Sequence, residues 1–327
     1  MMKSDILSAL RKSGDYVSGQ ELSERLQVSR TAVWKKIKEL QGDGYKIEAV
    51  PNRGYRIVGE PDVITAEEVE SRLDTAWAGH PVVYLTEVSS TNQYAKKIAE
   101  DGAAQGTLVV ADFQNHGKGR SGRVWTTPRG SAIAMTLVLR PQLPPVSVPM
   151  VTLVMGLAVA RACRDLYHLS AGIKWPNDVV VNGKKLCGIL TEMSTELNYV
   201  NYVVIGTGIN VNVREFPEEL RDRATSLVLE TGRETGRAEL IARCMKRFEE
   251  YYEQFLRAGD LSLLMDEYNE LLLNRDRKVQ VLETEHSYCG VARGIDREGC
   301  LLVLREDGTQ VRVFSGEVSV RGVYGYV

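Results

Sequence analysis

The run Gly117-Lys118-Gly119-Arg120-Ser121-Gly122-Arg123-Val124-Trp125 constrains this chain more than any other segment. Glycine lets the backbone approach a ligand closely and adopt positive φ, so N–H groups can face an anion. Lys118, Arg120 and Arg123 add charged donors for phosphate or carboxylate. The spacing matches neither a Walker loop nor a dinucleotide-binding turn. The residues therefore predict an anion-binding loop of another kind, with a solvated basic surface loop as the bland alternative.

Bulk properties narrow the setting. A chain of 327 residues predicts two or three domains, and 43% hydrophobic with 26% charged residues describes a globular protein. The formal net charge is −2, so nucleic-acid binding has to come from a local basic face. The sequence reads as lacking a run of ~18 apolar residues, so no spanning helix is expected. Met1 to Leu7 lacks the apolar core of a signal peptide. Five scattered cysteines without C-x-x-C pairs read as free thiols of a reducing compartment, and no zinc site is expected.

Residues 1–62 read as a winged helix-turn-helix. Ile6, Leu7 and Leu10 mark one amphipathic helix. Ser18, with Glu21 three residues on, opens a second, and Ser29 opens a third carrying Val33, Ile37 and Leu40 inward. Tyr45–Val50 and Tyr55–Val58, joined by Pro51-Asn52-Arg53-Gly54, read as a hairpin wing. Arg30, Thr31, Trp34, Lys35 and Lys38 fall opposite the apolar stripe of the third helix. Residues 1–60 hold eleven Lys and Arg against eight Asp and Glu, an excess of three in a net-acidic protein. A basic helix with a basic wing suits phosphate contact in a DNA groove. The DNA-contacting candidates are Ser18, Ser29, Arg30, Thr31, Trp34, Lys35, Lys38 and Arg53. A winged helix used for protein contacts is the alternative.

Glu60-Pro61-Asp62 reads as a linker. Residues 63–274 mix apolar β-branched runs with helical ones and lack strict βαβ alternation, which predicts a mixed sheet with helices in an α+β chain. Strands are expected at Val82–Leu85, Thr107–Ala111, Ser131–Leu139, Ile173–Trp175, Val179–Val181, Gly188–Thr191 and Tyr202–Gly206. Helices are expected at Thr91–Glu100, Val148–Leu166 and Ala238–Ala258. Residues 275–327 carry short, evenly spaced strands that suggest a small β-barrel.

Four further motifs accompany the basic run: Ser89-Ser90-Thr91-Asn92-Gln93, Lys174-Trp175-Pro176-Asn177-Asp178, Gly183-Lys184-Lys185-Leu186-Cys187-Gly188-Ile189-Leu190 and Gly206-Thr207-Gly208-Ile209-Asn210. In this order and at these intervals the chain resembles the biotin protein ligases over nearly its whole length. Its first residues resemble the DNA-binding domain of the bifunctional ligase/repressors. The resemblance implies a class II synthetase-like central fold and an SH3-like C-terminal domain. It also implies biotin and ATP with Mg2+ as reactants, and biotinyl-5′-AMP as an intermediate that doubles as co-repressor. The implied partners are the biotin carboxyl carrier protein of acetyl-CoA carboxylase, carriers of other biotin-dependent carboxylases, operator DNA, and a second copy when repressing. A cytoplasmic protein without membrane partners is expected.

The resemblance carries over residue by residue. Arg120, Lys185 and Asp178 become catalytic candidates, Asp178 for orienting or deprotonating an acceptor amine whose reference pKa is ~10.4. Ser90, Thr91, Asn92, Gln114, Lys118, Gly119, Arg120, Lys185 and Asn210 become candidates for binding biotin and nucleotide. No residue is assigned as a protein ligand to metal. Lys118 stands where arginine is frequent, which keeps the charge and loses the bidentate fork. The loop at 115–124 is expected to order over the reactive anhydride and exclude water. A ligase whose N-terminal domain does not bind DNA, and a lipoate-type ligase, stay open as alternatives. Lipoate ligases are not expected to carry the basic glycine-rich run or the winged helix.

Overall fold

A computed structural model describes residues 2–196, 199–282 and 287–315 and the backbone of 319–322; the final residues of the C-terminal segment, 323–327, lie outside the described residues. Helices α1 (Met2–Ser13), α2 (Gly19–Leu26) and α3 (Arg30–Gly42) precede a hairpin of β1 (Lys46–Val50) and β2 (Gly54–Gly59). Ser18 and Ser29 cap α2 and α3 by accepting from the Glu21 and Ala32 amides, so the capping signals mark the true starts. Ile6, Leu7, Leu10, Leu22, Val33, Ile37 and Leu40 close a small core of their own. Gly54 has a φ of +113°, and a Cβ there would fall 2.1 Å from the Val17 carbonyl oxygen, so only glycine lets the wing fold onto the helices.

The central part begins with α4 (Ala66–Glu70), β3 (Val82–Leu85), α5 (Thr91–Glu100), β4 (Leu108–Ala111), β5 (Gly117–Lys118), β6 (Val124–Trp125) and β7 (Ala132–Leu139). It continues with α6 (Val148–Tyr167), β8 (Gly172–Lys174), β9 (Asp178–Val181), β10 (Lys184–Glu196), β11 (Tyr199–Asn210), α7 (Leu227–Thr231), α8 (Arg237–Ala258) and α9 (Met265–Leu271). Seven strands form one mixed sheet in the order β3-β4-β7-β11-β10-β9-β8, in which β3 and β4 run parallel and the other neighbours antiparallel. Strands β10 and β11 extend well beyond the apolar segments Gly188–Thr191 and Tyr202–Gly206, because their outer residues are polar or half exposed yet continue the ladder.

Helices α6 and α8 cover one face of this sheet through the main core, which includes Val203, Ile205 and Ile209 of β11. Helix α5 covers half of the other face, packing Ala95 and Ala99 on Val109, Val138, Tyr202 and Val204. Helix α6 lies in a 23-residue stretch, Pro145–Tyr167, that is long and apolar enough by length and composition to cross a membrane, contrary to the reading of the sequence. Within it, 78% of the apolar 18-residue window is buried inside the protein, which makes α6 a core helix.

The C-terminal strands β12 (Lys278–Leu282), β13 (Ser287–Ile295), β14 (Leu301–Leu304), β15 (Gln310–Val313) and β16 (Ser319–Gly322) form a five-stranded antiparallel sheet ordered β15-β14-β13-β12-β16. Its apolar residues Val279, Val281, Leu301 and Val303 join the main core.

The segment read as a linker is fastened at both ends. Arg11 of α1 and Arg72 both bind Glu60, while Asp62 takes the Arg237 guanidinium at 2.9 Å and the Arg237 amide at 2.9 Å. Beside it, Glu68 of α4 is 1% exposed and accepts from Arg11 at 2.7 Å, from Arg72 at 2.6 Å and from the Tyr45 hydroxyl. A polar seam of fully satisfied charge thus joins the two apolar cores.

Candidate active site

The half of the sheet that α5 leaves bare forms the floor of a cavity of about 1540 Å3. Side chains alternate between the faces of a strand. On the open face β11 therefore offers Gly206 and Gly208, and β10 offers Gly188, where a Cβ would protrude. The space left is filled from above. A Cβ at Gly208 would lie 2.7 Å from the Trp125 ring and one at Gly188 3.2 Å from it, while one at Gly206 would lie 2.1 Å from Asn92 Oδ1.

The basic run is a two-rung hairpin in which Gly117 pairs with Trp125 and Lys118 with Val124. It projects Lys118, Arg120 and Arg123 along one wall of the cavity. Arg120 donates to Asn177 Oδ1 at 3.2 Å and, across 195 residues, to the Ser315 carbonyl at 2.6 Å. Burial is the largest influence on its guanidinium and pulls its pKa below the ordinary arginine value. Facing the cavity beside Lys118 and Arg123, Arg120 adds to a cluster of positive charge suited to an anionic ligand. Leu282 of the C-terminal sheet also lines the cavity, so the last domain contributes to the site. Nothing in the sequence indicated that contact.

Asp178 begins β9 opposite Gly188 of β10, and Lys185, which pairs with Val180, reaches along the ladder so that the two side chains meet at 2.7 Å. The Lys185 ammonium also sits 5.6 Å from the Trp125 ring centroid. Asn177 anchors this corner by donating to the Ile189 carbonyl at 3.1 Å. The Trp125 indole N–H is buried with no partner among the described residues. No role of its own was read for Trp125 from the sequence; in the fold it lies over Gly188 and Gly208 and roofs the cavity.

At the other end Ser90 occupies the N-cap position of α5 without a side-chain capping bond, and Thr91 and Asn92 form its first turn. All three are buried and line the cavity. Thr91 donates its amide at 2.7 Å and its hydroxyl at 2.9 Å to Gln114 Oε1. A backbone N–H can only donate, so the Gln114 oxygen has to face it and its NH2 group is left for a ligand. Asn210 closes β11, 4% exposed, with Nδ2 on the Thr225 carbonyl at 3.0 Å. Gly119 lines the cavity between Lys118 and Arg120.

The structure therefore brings together Ser90, Thr91, Asn92, Gln114, Lys118, Gly119, Arg120, Asp178, Lys185 and Asn210, all on the cavity wall. The candidates for DNA contact gather elsewhere. Arg30, Thr31, Trp34, Lys35 and Lys38 are exposed along α3, and Trp34 is 53% exposed. Arg53 stands at the wing turn with its guanidinium 4.2 Å from the Tyr16 ring centroid. Ser18 and Ser29 are committed to capping. Tyr16, which also carries Arg56 at 4.7 Å, was not singled out from the sequence.

Comparison with known proteins gives a consistent result. Residues 84–210 match the model of the biotin/lipoate A/B protein ligase family, residues 3–56 an HTH domain and residues 276–321 the biotin protein ligase C-terminal domain. The bifunctional ligase/repressor BirA of Bacillus subtilis is 38% identical over 324 residues, covering 98% of each chain. That of Escherichia coli is 31% identical over 316 residues, covering 96% of each. Among solved structures, the biotin protein ligase from Aquifex aeolicus in complex with biotin and ATP superposes with a TM-score of 0.65 at 32% identity. It covers 74% of this chain and 98% of its own.

Proposed function

The chain belongs to the family of bifunctional biotin ligase/repressors, and from that premise we propose how its cavity divides the work. It is an ATP-dependent biotin protein ligase and a DNA-binding repressor. In the first half-reaction a biotin carboxylate oxygen bonds to the α-phosphorus of ATP, the bond to the β-phosphate oxygen breaks, and pyrophosphate leaves. In the second, a carrier lysine amine attacks the acyl carbon, loses a proton, and expels AMP. The acceptor is the biotin carboxyl carrier protein.

Both steps place negative charge near phosphate, so fixed positive charge in a desolvated pocket carries most of the catalysis. The observation that carries this assignment is Arg120, drawn from water between Asn177 and Ser315 and facing the cavity with Lys118 and Arg123. Arg120 binds the phosphate and the activated carboxylate. Lys185, oriented by Asp178, neutralises their junction. Asp178 becomes available to the acceptor amine when Lys185 turns to phosphate. Thr91 and Gln114 offer an acceptor beside a donor, which matches the N–H and C=O of biotin's cyclic urea, and Ser90 supports the same end. Asn92 holds the floor above Gly206, Lys118 and Gly119 follow the phosphates, and Asn210 shapes the wall below them.

The family also implies Mg2+. The described residues contain no cluster of three or more His, Cys, Asp or Glu side chains that could hold an ion, and Asp178 is engaged by Lys185. This donor set does not build a protein cage, so no step is assigned to a resident metal; Mg2+ enters with the nucleotide, on its phosphates.

For repression, the exposed cationic face of α3 and Arg53 on the wing meet DNA. A repressing dimer is supported by β10, which beyond Ile189 has a ladder partner on the β11 side alone among the described residues. The five cysteines are free, and all but Cys289 are buried, in keeping with a cytoplasmic protein.

The test is ATP–pyrophosphate exchange with biotin and with lipoate as alternative acids. Exchange supported by biotin, and by lipoate at least about 100-fold less well, is expected of a site built to hydrogen-bond a urea. Equal exchange with both acids would replace this reading with a lipoate-type ligase.

A further inference from the structure

A chain of polar contacts leads out of the urea-binding end of the cavity to a residue that does not line it. Asn92 Nδ2 donates to Glu192 Oε2 at 2.8 Å and to the Leu190 carbonyl at 3.1 Å. Its Oδ1 accepts from the Thr136 hydroxyl at 2.7 Å. That hydroxyl also lies 2.8 Å from Thr91 Oγ1, and Thr91 in turn donates to Gln114. The other oxygen of Glu192 accepts from Lys96 at 2.7 Å. Burial alone would raise the pKa of Glu192, but hydrogen bonds from Lys96 and Asn92 and the charges of Lys96 and Lys118 hold it below the usual value.

The direction of the chain follows from what each group can do. A carboxylate can only accept. Glu192, with the Leu190 carbonyl beside it, therefore holds the Asn92 NH2 group outward and its oxygen toward Thr136. The single hydroxyl hydrogen of Thr136 is within reach of both that oxygen and Thr91 Oγ1, and the amide oxygen, the stronger acceptor, draws it, while the hydrogen of Thr91 lies on Gln114. Thr91 Oγ1 keeps a lone pair for the ligand, beside the Gln114 NH2 group, which has no hydrogen-bond partner among the described residues. Without the carboxylate only the longer bond to the Leu190 carbonyl, at 3.1 Å, opposes a turn of the Asn92 amide. Turned over, its NH2 group donates to Thr136, the Thr136 hydrogen goes to Thr91, and one of the two lone pairs of Thr91 Oγ1 is occupied, which leaves a single and more restricted acceptor for the ligand.

We propose that Glu192 is a positioning residue that sets the hydrogen-bonding polarity of the urea-recognising end of the cavity, acting through Asn92 and Thr136 on Thr91. The assignment rests on the biotin reading above. It makes specificity for a cyclic urea depend on a charge outside the cavity lining, fixed by Lys96 from helix α5.

A reversal of polarity in the full-length protein tests it. Asn92→Asp sets two carboxylates against each other, and Glu192→Gln sets an amide against Asn92 and Lys96. Together they restore a donor–acceptor pair running the opposite way while residue 92 still presents an oxygen to Thr136. In biotin-dependent ATP–pyrophosphate exchange, N92D is expected to raise KM for biotin about 100-fold and E192Q about 10-fold, as for an unpaired polar group in a recognition site. The double variant should recover at least about 10-fold over N92D, the coupling expected of residues in direct contact. KM for ATP should stay within about 2-fold throughout, because the relay reaches only the urea end. Should N92D fail to fold, a folded double variant with a lower biotin KM than E192Q supports the relay, and one with no lower KM overturns it. A double variant no better than N92D, or KM values for biotin and ATP that rise together, would overturn the proposal alone. Wild-type protein without biotin-dependent exchange would overturn the ligase reading and this inference with it.

Discussion

Arg120 and the pair Arg11 and Arg72 are all half-buried guanidinium groups at junctions between parts of the chain, yet they are treated in opposite ways. Arg11 and Arg72 close on Glu60 and Glu68, and the charge of Glu68 is offset at the point where it is buried. Arg120 hydrogen-bonds to the neutral oxygens of Asn177 and Ser315, while the nearby Asp178 is engaged by Lys185. Desolvation lowers the pKa of Arg120, whereas that of Arg72 is raised, because Glu68 and Glu60 outweigh burial. A buried cation with its counter-charge inside the chain is structure. Arg120, where burial outweighs the pull of Asp178, faces a cavity in company with Lys118 and Arg123, and that is a binding site.

Breaking each half of this contrast should give opposite phenotypes. The largest effect is expected for Arg120→Ala, which should lower biotin-dependent exchange by roughly 1,000-fold, as for removal of a donor to transition-state charge. Thermal unfolding should be nearly unchanged. Equal losses of melting temperature and activity would place Arg120 with the structural arginines. Next comes Glu68→Leu, which leaves Arg11 and Arg72 without their buried partner and should cost roughly 3 kcal/mol of stability in denaturant titrations. Its folded fraction should keep exchange activity.

The seam also has a pH signature. The pKa of Glu68 is lowered in the folded protein despite burial, because Arg11, Arg72 and Tyr45 favour its charged form. Its contribution is therefore present above the unfolded value of ~4.3 and is lost as pH falls through the lower folded value. Denaturation midpoints measured from neutral pH downward should fall less steeply for Glu68→Leu than for wild type. The smallest effect belongs to a third class of cation, exposed on α3. Lys35→Ala should weaken DNA binding uniformly across sequences and reduce the salt dependence of log K by about one per protomer. A change of sequence preference instead would make Lys35 a reader of bases.

The local parts of this architecture were legible in the sequence. Ser18 and Ser29 cap the helices they were expected to open, because capping is decided within four residues. The site motifs converge on one cavity because four of them sit at strand ends or a helix start of the same sheet and the basic run forms a hairpin along its wall. What stayed hidden depends on contacts that spacing does not encode. Glu60 and Asp62 read as linker residues, since their partners Arg72, Arg11 and Arg237 are recognisable only after folding. The outer halves of β10 and β11 were missed because residues such as Glu192, Ser194 and Asn201 carry no apolar alternation. Glu192 and Lys96 lie 96 residues apart, and Ser315 reaches Arg120 across 195. Helix α6 was underrated in the other direction, its few polar residues obscuring a stretch apolar enough to resemble a membrane span.

The glycine floor has a consequence for how such an enzyme can change substrate. The shape above β10 and β11 is kept by three absent side chains, and any replacement at Gly188, Gly206 or Gly208 adds atoms. Selection acting on the floor can make the chamber smaller in one step but never larger, since no residue is smaller than glycine. Enlargement has to come from the roof, where trimming Trp125 would free the volume of an indole over Gly188 and Gly208 at once. A directed-evolution library aimed at bulkier acids is best spent on that one codon, and the floor codons are best left alone.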